Sequence, residues 1–420
     1  MHIGLPILSI FHSCGGMERS GVYLASAMLQ RGHDVTIYYT EKNNPDDPPQ
    51  YPLPEGARLV ALPRNQRSTT LVDDIRRKIA ESDVDVIVGL MFGTELLSFP
   101  LALIGTGIPF LVSERNVPEI SEEEWHPAER RALMAAADRI HVLSQAFLSG
   151  FPARLRERIS VIPNFTARKE CDAPVRQENA GPKILLGMGR FDEKHKQFSL
   201  LIRAFILLAG RFPDWNLVIG GSGKARVRRR YDRLVASSKM ENRISLPGKI
   251  SDVDAVYKKA HLFCIPSRYE AFGLVTTEAF SHGLPVVGFA GCVGTNEIIV
   301  DGENGLLAER MTAHSLAKSL AVLMNDPALR ERMGRRGWEM MDRYDETAVF
   351  DRWEILLQET VRAKGDTALQ RMAAGSPGDG VEWKTLQELA ARPILFREKS
   401  GYEKVKKKLR KTIRRLMRRS

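Results

Sequence analysis

Cysteine is scarce in this chain. Four residues in 420, Cys14, Cys171, Cys264 and Cys292, form no close pair. That excludes a disulfide-stapled scaffold, leaves no spacing for a structural zinc, and fits a reducing, cytoplasmic compartment. Long apolar runs are missing too. The longest uncharged apolar stretch, Leu96–Val112, is punctuated by Pro100, Gly105, Gly107 and Pro109. It is slightly short for a bilayer span and reads as the end of a helix, a turn and a buried strand. The N-terminus has no charged n-region and no cleavage site, which argues against a signal peptide. Aromatic residues make up only 7%, and no nucleic-acid reader motif is visible, so nucleic acid is a weak candidate partner. The glycines after the first expected strand, Gly15-Gly16, lack the Gly-x-Gly-x-x-Gly spacing of dinucleotide enzymes, which argues against nicotinamide chemistry.

What is present in excess is positive charge, a net +11, but it is unevenly placed. Residues 401–420 hold ten Lys/Arg and one acid, Glu403, a net +9, leaving +2 for the other 400 residues. Basicity therefore belongs to the tail. There Tyr402, Val405, Leu409, Ile413, Leu416 and Met417 recur at three- and four-residue intervals among Lys and Arg. That is the pattern of a basic amphipathic helix suited to an anionic membrane surface.

Along the rest of the chain, strands alternate with helices, which implies parallel sheets covered on both faces. Strands are expected at Ile3–Ile10, Val35–Tyr39, Val84–Val88, Phe110–Val112, Ile140–Leu143 and Ile159–Ile162. A second series follows at Ile184–Met188, Asn216–Ile219, Ile244–Leu246, Leu262–Ile265 and Pro285–Val287. The organisation expected is a doubly wound domain over 1–165, a polar linker at 166–182 and a second doubly wound domain over 183–345. A closing helix at 346–364, a flexible connector at 365–400 with a helix near 382–391, and the tail at 401–420 complete it. In doubly wound sheets ligands sit beyond the carboxyl ends of the strands, and two such domains facing a central cleft would hold two substrates.

The richest segment is Ser267-Arg-Tyr-Glu270-Ala-Phe-Gly-Leu-Val-Thr-Thr-Glu278. A short strand runs into Pro266, a loop carries Glu270 and Gly273, and a helix carries Glu278 and stops at Gly283. A strand–loop–helix unit offers helix N–H groups and a positive dipole end to an anion. Two carboxylates nearby can grip hydroxyls, so the segment suits a sugar attached to a phosphate. Arg190 and Lys196, in the loop after Ile184–Met188, can neutralise a diphosphate leaving group or form a solvated basic loop. Gly220-Gly221-Ser222-Gly223 is either a close backbone approach to ligand or a tight turn. Gly15-Gly16 opens a helix and can face phosphate or acceptor. After Gly291 and Gly294, Glu297 either touches ligand or stabilises a helical first turn. Ser113-Glu114-Arg115-Asn116, directly after a buried strand, either lines the cleft or contains structural salt bridges.

These motifs resemble retaining GT-B glycosyltransferases of family 4, the group 1 glycosyl transferases. The resemblance is carried by Gly189-Arg190 with Lys196, by Pro266-Ser267 with two glutamates in Glu-x7-Glu spacing, by Gly283-Leu-Pro285-Val-Val, and by Asn296-Glu297-Ile-Ile-Val-Asp-Gly302-Glu-Asn-Gly305. Looser matches lie at Gly15-Gly16-Met-Glu18, Arg31-Gly-His33-Asp-Val35 and Val161-Ile-Pro163-Asn164. The resemblance implies a nucleotide-sugar donor on the second domain. Arg190 and Lys196 would bind the diphosphate, Glu278 the ribose hydroxyls, and Glu270 would sit at the donor sugar. Ala271, Phe272, Gly273, Leu274, Gly221, Asn296, Glu297 and Gly16 would line the donor, with Gly15, Glu114, Arg115 and Asn116 on the acceptor side. Transfer would proceed by same-face attack, with no metal and no cofactor. Where many relatives carry a donor-contacting histidine, this chain has Glu114-Arg115-Asn116, as in a subgroup active on bacterial surface glycans. The expected acceptor is a lipid-linked glycan, reached from the inner membrane face with the tail docked on the bilayer. The alternatives are a nucleotide-sugar epimerase of the same fold and an inactive partner of another transferase.

Overall fold

The structure is a computed structural model that describes residues 1–11, 15–40, 48–49, 51–63, 68–90, 96–117, 127–169, 181–375 and 380–391. The basic tail, most of the expected linker, and Cys14 and Cys171 lie outside the described residues.

Two parallel sheets organise the chain. The first has seven strands in the order β3-β2-β1-β4-β5-β6-β7: β1 His2–Pro6, β2 Asp34–Thr40, β3 Arg58–Leu62, β4 Val86–Gly89, β5 Phe110–Glu114, β6 Arg139–Val142 and β7 Ile159–Val161. The second has six in the order β10-β9-β8-β11-β12-β13: β8 Lys183–Met188, β9 Trp215–Gly220, β10 Ile244–Gly248, β11 Leu262–Cys264, β12 Val286–Phe289 and β13 Gly305–Ala308. The fold is α/β, with two Rossmann-like parallel-sheet domains. By contact the described residues form two compact units. One gathers Met1–Glu114, residues of 122–140 and those from Leu357 onward; the other gathers Arg115–Val117 and His141–Leu356.

The second sheet shows why the sequence reads as it does. Leu185, Leu217, Cys264 and Val287 share one core with Leu201, Ile202 and Phe205 of the helix Phe198–Leu208 and with Leu316 and Leu320 of Ala313–Asn325. The alternate residues Leu186, Phe263 and Val286 share another with Tyr257 and Phe280. Both faces are covered, so the strands are apolar throughout instead of alternating. Strands β8 and β9 run parallel in continuous register from Lys183↔Trp215 to Met188↔Gly220. Two strands escape the sequence reading, β3 and β13. Each forms the edge of its sheet, and each is a run of only four apolar residues, Leu59–Leu62 and Gly305–Ala308, with Leu59 half exposed.

The stretch Leu96–Val112 resolves as expected, into the buried helix Ser98–Leu103, a turn and β5. Within the expected connector the helix near 382–391 is found, but the flexible reading of the stretch before it needs correction. Residues 365–375 and 380–391 hold the helices Ala368–Ala373 and Gly380–Ala391. Leu369, Met372 and Leu386 are buried, Thr367 caps the first helix, and the Ala368 N–H donates to Asp138 at 2.6 Å. Gly375 follows the first of these helices and Gly380 opens the second.

Candidate functional site

In the second sheet the connection direction reverses between β8 and β11, and the Glu-x7-Glu segment follows β11. That gap is the topological switch point, where doubly wound sheets open a crevice. Three loops reach it from strand carboxyl ends.

The first loop follows β8. Asp192 organises it by accepting from the Lys194 N–H and facing His195 Nδ1, both at 3.0 Å, while the Lys196 N–H donates to its main-chain carbonyl at 2.7 Å. Burial pushes the Asp192 carboxyl up, but the His195 and Arg190 charges and the hydrogen bonds from His195 and Lys194 outweigh it and hold the group below its ordinary value. Arg190 is largely exposed, 3.4 Å from Asp192. Gly221 lies so close behind this loop that a Cβ there would sit 1.8 Å from the Gly189 carbonyl oxygen. Its N–H donates to Gly248 at 2.8 Å. The close approach at Gly221 is therefore between strand ends, and its N–H is not available to a donor.

The second loop follows β11. Glu270 is nearly buried. Lys196 Nζ forms a close ion pair with its Oε1, which also accepts from Ser267 Oγ at 2.6 Å. The two loops are tied by the Arg268 N–H donating to the His195 carbonyl at 2.7 Å. The backbone behind Glu270 packs on Gly294, where a Cβ would fall 1.7 Å from the Glu270 carbonyl oxygen. Ala271 and Phe272 lead into left-handed Gly273 (φ 79°), which caps the helix Leu274–Ser281. The Thr276 N–H donates to the Gly273 carbonyl at 2.7 Å, and the N–H groups of Leu274 and Val275, which open the helix, have no intrahelical acceptor. Glu278, in its second turn, is half-buried. The Tyr257 hydroxyl lies 3.1 Å from Glu278 Oε2. Fully buried Tyr257 is itself stacked on His282, 5.0 Å between ring centroids, and His282 lies 3.2 Å from Asp254.

The third loop follows β12. Asn296 donates to the Ala290 carbonyl at 2.6 Å. The expected helix start after Gly294 is a single turn, Val293–Thr295. Glu297 therefore caps no helix of its own. Its Oε1 accepts from Ser144 Oγ at 2.7 Å and from the Ala146 N–H at 2.8 Å, at the start of the short 3-10 helix Gln145–Gly150.

Candidates tied to the first sheet are placed as follows. The helix after β1 starts at Gly16, earlier than the expected Gly21, and the Gly15 N–H donates to Glu18 at 3.1 Å. Buried Glu18 also accepts from Ser9 at 2.5 Å. Glu114 belongs to β5 itself, is fully buried, and pairs with Arg130 at 2.8 Å. Of the two readings open for it, the structural ion pair is the one found. Arg115 donates to Asn164 Oδ1, and burial pushes its pKa down to about 10. Asn116 is half-buried beside it in sequence. The arrangement thus joins Lys196, Ser267, Glu270 and a helix N-terminus, with Arg190 and Glu278 on the same two segments. Ser267 stands in the quoted motif without an assigned role. Tyr257 has no local signal, because it precedes Glu278 by 21 residues on another helix.

Two family models cover the chain in succession. The model described as Glycosyltransferase Family 4 matches residues 14–168, and Glycosyl transferases group 1 matches residues 169–340. The chain belongs to the family 4 GT-B glycosyltransferases. This glycosyltransferase is 25% identical to an uncharacterized glycosyltransferase of Haemophilus influenzae over 84% of its own length and 99% of the relative's. It is 26% identical to the phosphatidyl-myo-inositol mannosyltransferase of Mycobacterium leprae over 86% and 96%. Among solved structures, Anabaena HepE in complex with UDP and glucose matches with a TM-score of 0.69 at 18% identity, covering 85% of this glycosyltransferase and 99% of HepE. Among the described residues no helix is long and apolar enough to cross a membrane.

Proposed function

We propose that this glycosyltransferase moves a hexose or acetamidohexose from a nucleotide sugar, UDP-linked in preference to GDP-linked, to a lipid-linked saccharide of a bacterial surface glycan such as lipopolysaccharide or capsule. The anomeric configuration is retained. The observation that carries this reading is the Lys196–Glu270–Ser267 cluster at the switch point of the second sheet. A diphosphate over the ends of β8 and β11 would meet Lys196, Arg190 and the N-terminus of Leu274–Ser281, all complementary to negative charge. Lys196 would turn from Glu270 to the phosphate, freeing Glu270 for the sugar. Glu278, steadied by Tyr257, would accept from the ribose hydroxyls.

In the transfer, the bond from the anomeric carbon to the phosphate oxygen breaks as the bond to the acceptor oxygen forms on the same face. The acceptor's proton passes to the departing phosphate oxygen. Lys196 and Arg190 stabilise the charge that gathers there. HepE, whose complex holds UDP and glucose, supports the UDP reading. The mannosyltransferase relative, named for a phosphatidylinositol acceptor, supports a lipid-borne acceptor. The basic amphipathic tail supports docking on the inner membrane face.

A panel of UDP and GDP sugars tests the donor by thermal stabilisation, since a ligand at 100 times its Kd adds about 2.7 kcal/mol. With the stabilising donor, nucleoside diphosphate should appear only when a lipid-linked acceptor is present, with or without EDTA. NMR of the product should show the donor's anomeric configuration. An epimerised sugar formed without acceptor would overturn the reading in favour of an isomerase.

A further inference from the structure

We infer that the outer face of the helix Ala225–Ser238 is a docking surface for a bilayer of anionic phospholipid. Five of its fourteen residues are arginine, at 226, 228, 229, 230 and 233. Tyr231 and Val235 are buried in the core of the second unit, with Val227 and Leu234 packed partly against it. The helical repeat then sends Arg226, Arg229, Arg230 and Arg233 outward as one stripe, at i, i+3, i+4 and i+7, and all four are exposed, as is Lys224 just before the helix. The helix's single acid, Asp232, is 2.8 Å from Arg228, and Arg230 is 3.7 Å from Glu193. Arg226, Arg229 and Arg233 have no carboxylate partner among the described residues.

Like charges three and four apart disfavour a helix, and an ordinary solvated face interleaves both signs. Outside its tail this chain is nearly neutral, so a stripe of one sign is a local concentration, not an overflow of general basicity. Arginine's planar fork binds phosphate oxygens in pairs. The ridge of a helix is convex, and the stripe carries no aromatic side chain on which bases could stack. On the helix packed beside it, Phe198–Leu208, Leu207 is 57% exposed and is suited to entering a headgroup layer. Arginine over an extended convex face without a stacking aromatic fits a lipid surface better than a nucleic acid. The stripe is separate from residues 401–420, and the inference does not depend on which sugar is moved.

The test is co-sedimentation of the full-length protein with phosphatidylcholine vesicles, with and without phosphatidylglycerol. Combined Arg226→Gln, Arg229→Gln and Arg233→Gln changes are made in the native chain and in a full-length background whose ten tail Lys/Arg are glutamine. Partition to the anionic vesicles should fall about tenfold in at least one background, with a shallower salt dependence and an unchanged thermal melt. If the tail replacement has no effect while the triple change does, the stripe stands and the tail assignment falls. Equal partition of triple variant and parent in both backgrounds overturns the proposal. So does a triple variant that loses duplex DNA binding while its vesicle binding stays intact.

Discussion

Glu270 and Glu278 lie eight residues apart, yet their surroundings differ, and the proposed roles differ with them. Glu270 is held by Lys196 and Ser267 in a nearly closed niche, where interactions with a reacting sugar are strongest because water is scarce. Glu270→Gln keeps the Ser267 hydrogen bond but removes the charge, and kcat should fall roughly 100- to 1,000-fold with donor KM little changed. Steady-state kinetics on whichever donor stabilises the protein would show it; a loss confined to KM would assign Glu270 to binding alone. Glu278 is steadied from behind by the Tyr257 hydroxyl at 3.1 Å. Tyr257→Phe removes one hydrogen bond to a carboxylate, worth about 1.5 kcal/mol or roughly tenfold. The expected outcome is a donor KM raised by that factor with kcat nearly constant. A 2′-deoxyribose donor should show a smaller effect of the same substitution, because the group that Glu278 would hold is already missing.

At the scale of elements, the second sheet delivers three loops to one point, and the contacts between those loops set the site. Gly294, after β12, presses on the Glu270 backbone of the loop after β11. Gly294→Ala must displace that loop by an ångström or more, and a misplacement of that size costs about 100-fold in turnover. Activity should drop by about that factor while circular dichroism keeps its native signal; full activity would show that the loop adapts freely. This contact also marks where sequence reasoning stops. Strands such as Leu262–Cys264 and the helix with Glu278 are legible because runs of buried apolar residues, Gly273 and Gly283 are local signals. The position of Glu270 beyond a strand's carboxyl end follows from the alternation of strands and helices; the strand order that makes it the switch point does not. Edge strands β3 and β13 give a weaker signal, because their apolar runs are short and only partly buried. The Lys196–Glu270 pair, the Gly294 wedge and the Tyr257 support join residues 20 or more positions apart, and no spacing rule predicts which of many loop charges will meet. The arginine stripe is hidden for a different reason: composition averages charge over the body, and only the helix register sorts it onto one face.

For the molecule as a whole, the buried histidine His141 on β6 makes stability depend on pH. Its Nε2–H donates to the Ile162 carbonyl at 2.7 Å, and its ring lies 4.4 Å from that of Trp353. Burial, followed by the nearby positive charge of Arg115 and then Arg352, lowers its pKa from the ordinary 6.5 to about 3; the bond to Ile162 opposes this only in part. A depressed histidine pKa means that the unfolded chain takes up a proton before the folded one does. The contribution is fully present above about pH 6.5 and is lost as pH falls from there towards 3, by about 2 kcal/mol at pH 5. Between pH 7 and pH 5 the melting temperature of the wild type should therefore decline. His141→Asn can still donate to Ile162 but does not titrate, so it should start from a lower melting temperature and show a shallower decline over the same range. Parallel pH profiles for the two proteins would mean that other groups control the acid limb. The distinction matters for activity, because the second unit carries both His141 and the Lys196–Glu270 cluster. If His141 is the first group to fail in acid, donor-induced stabilisation should vanish on the same limb as the fold and not before it.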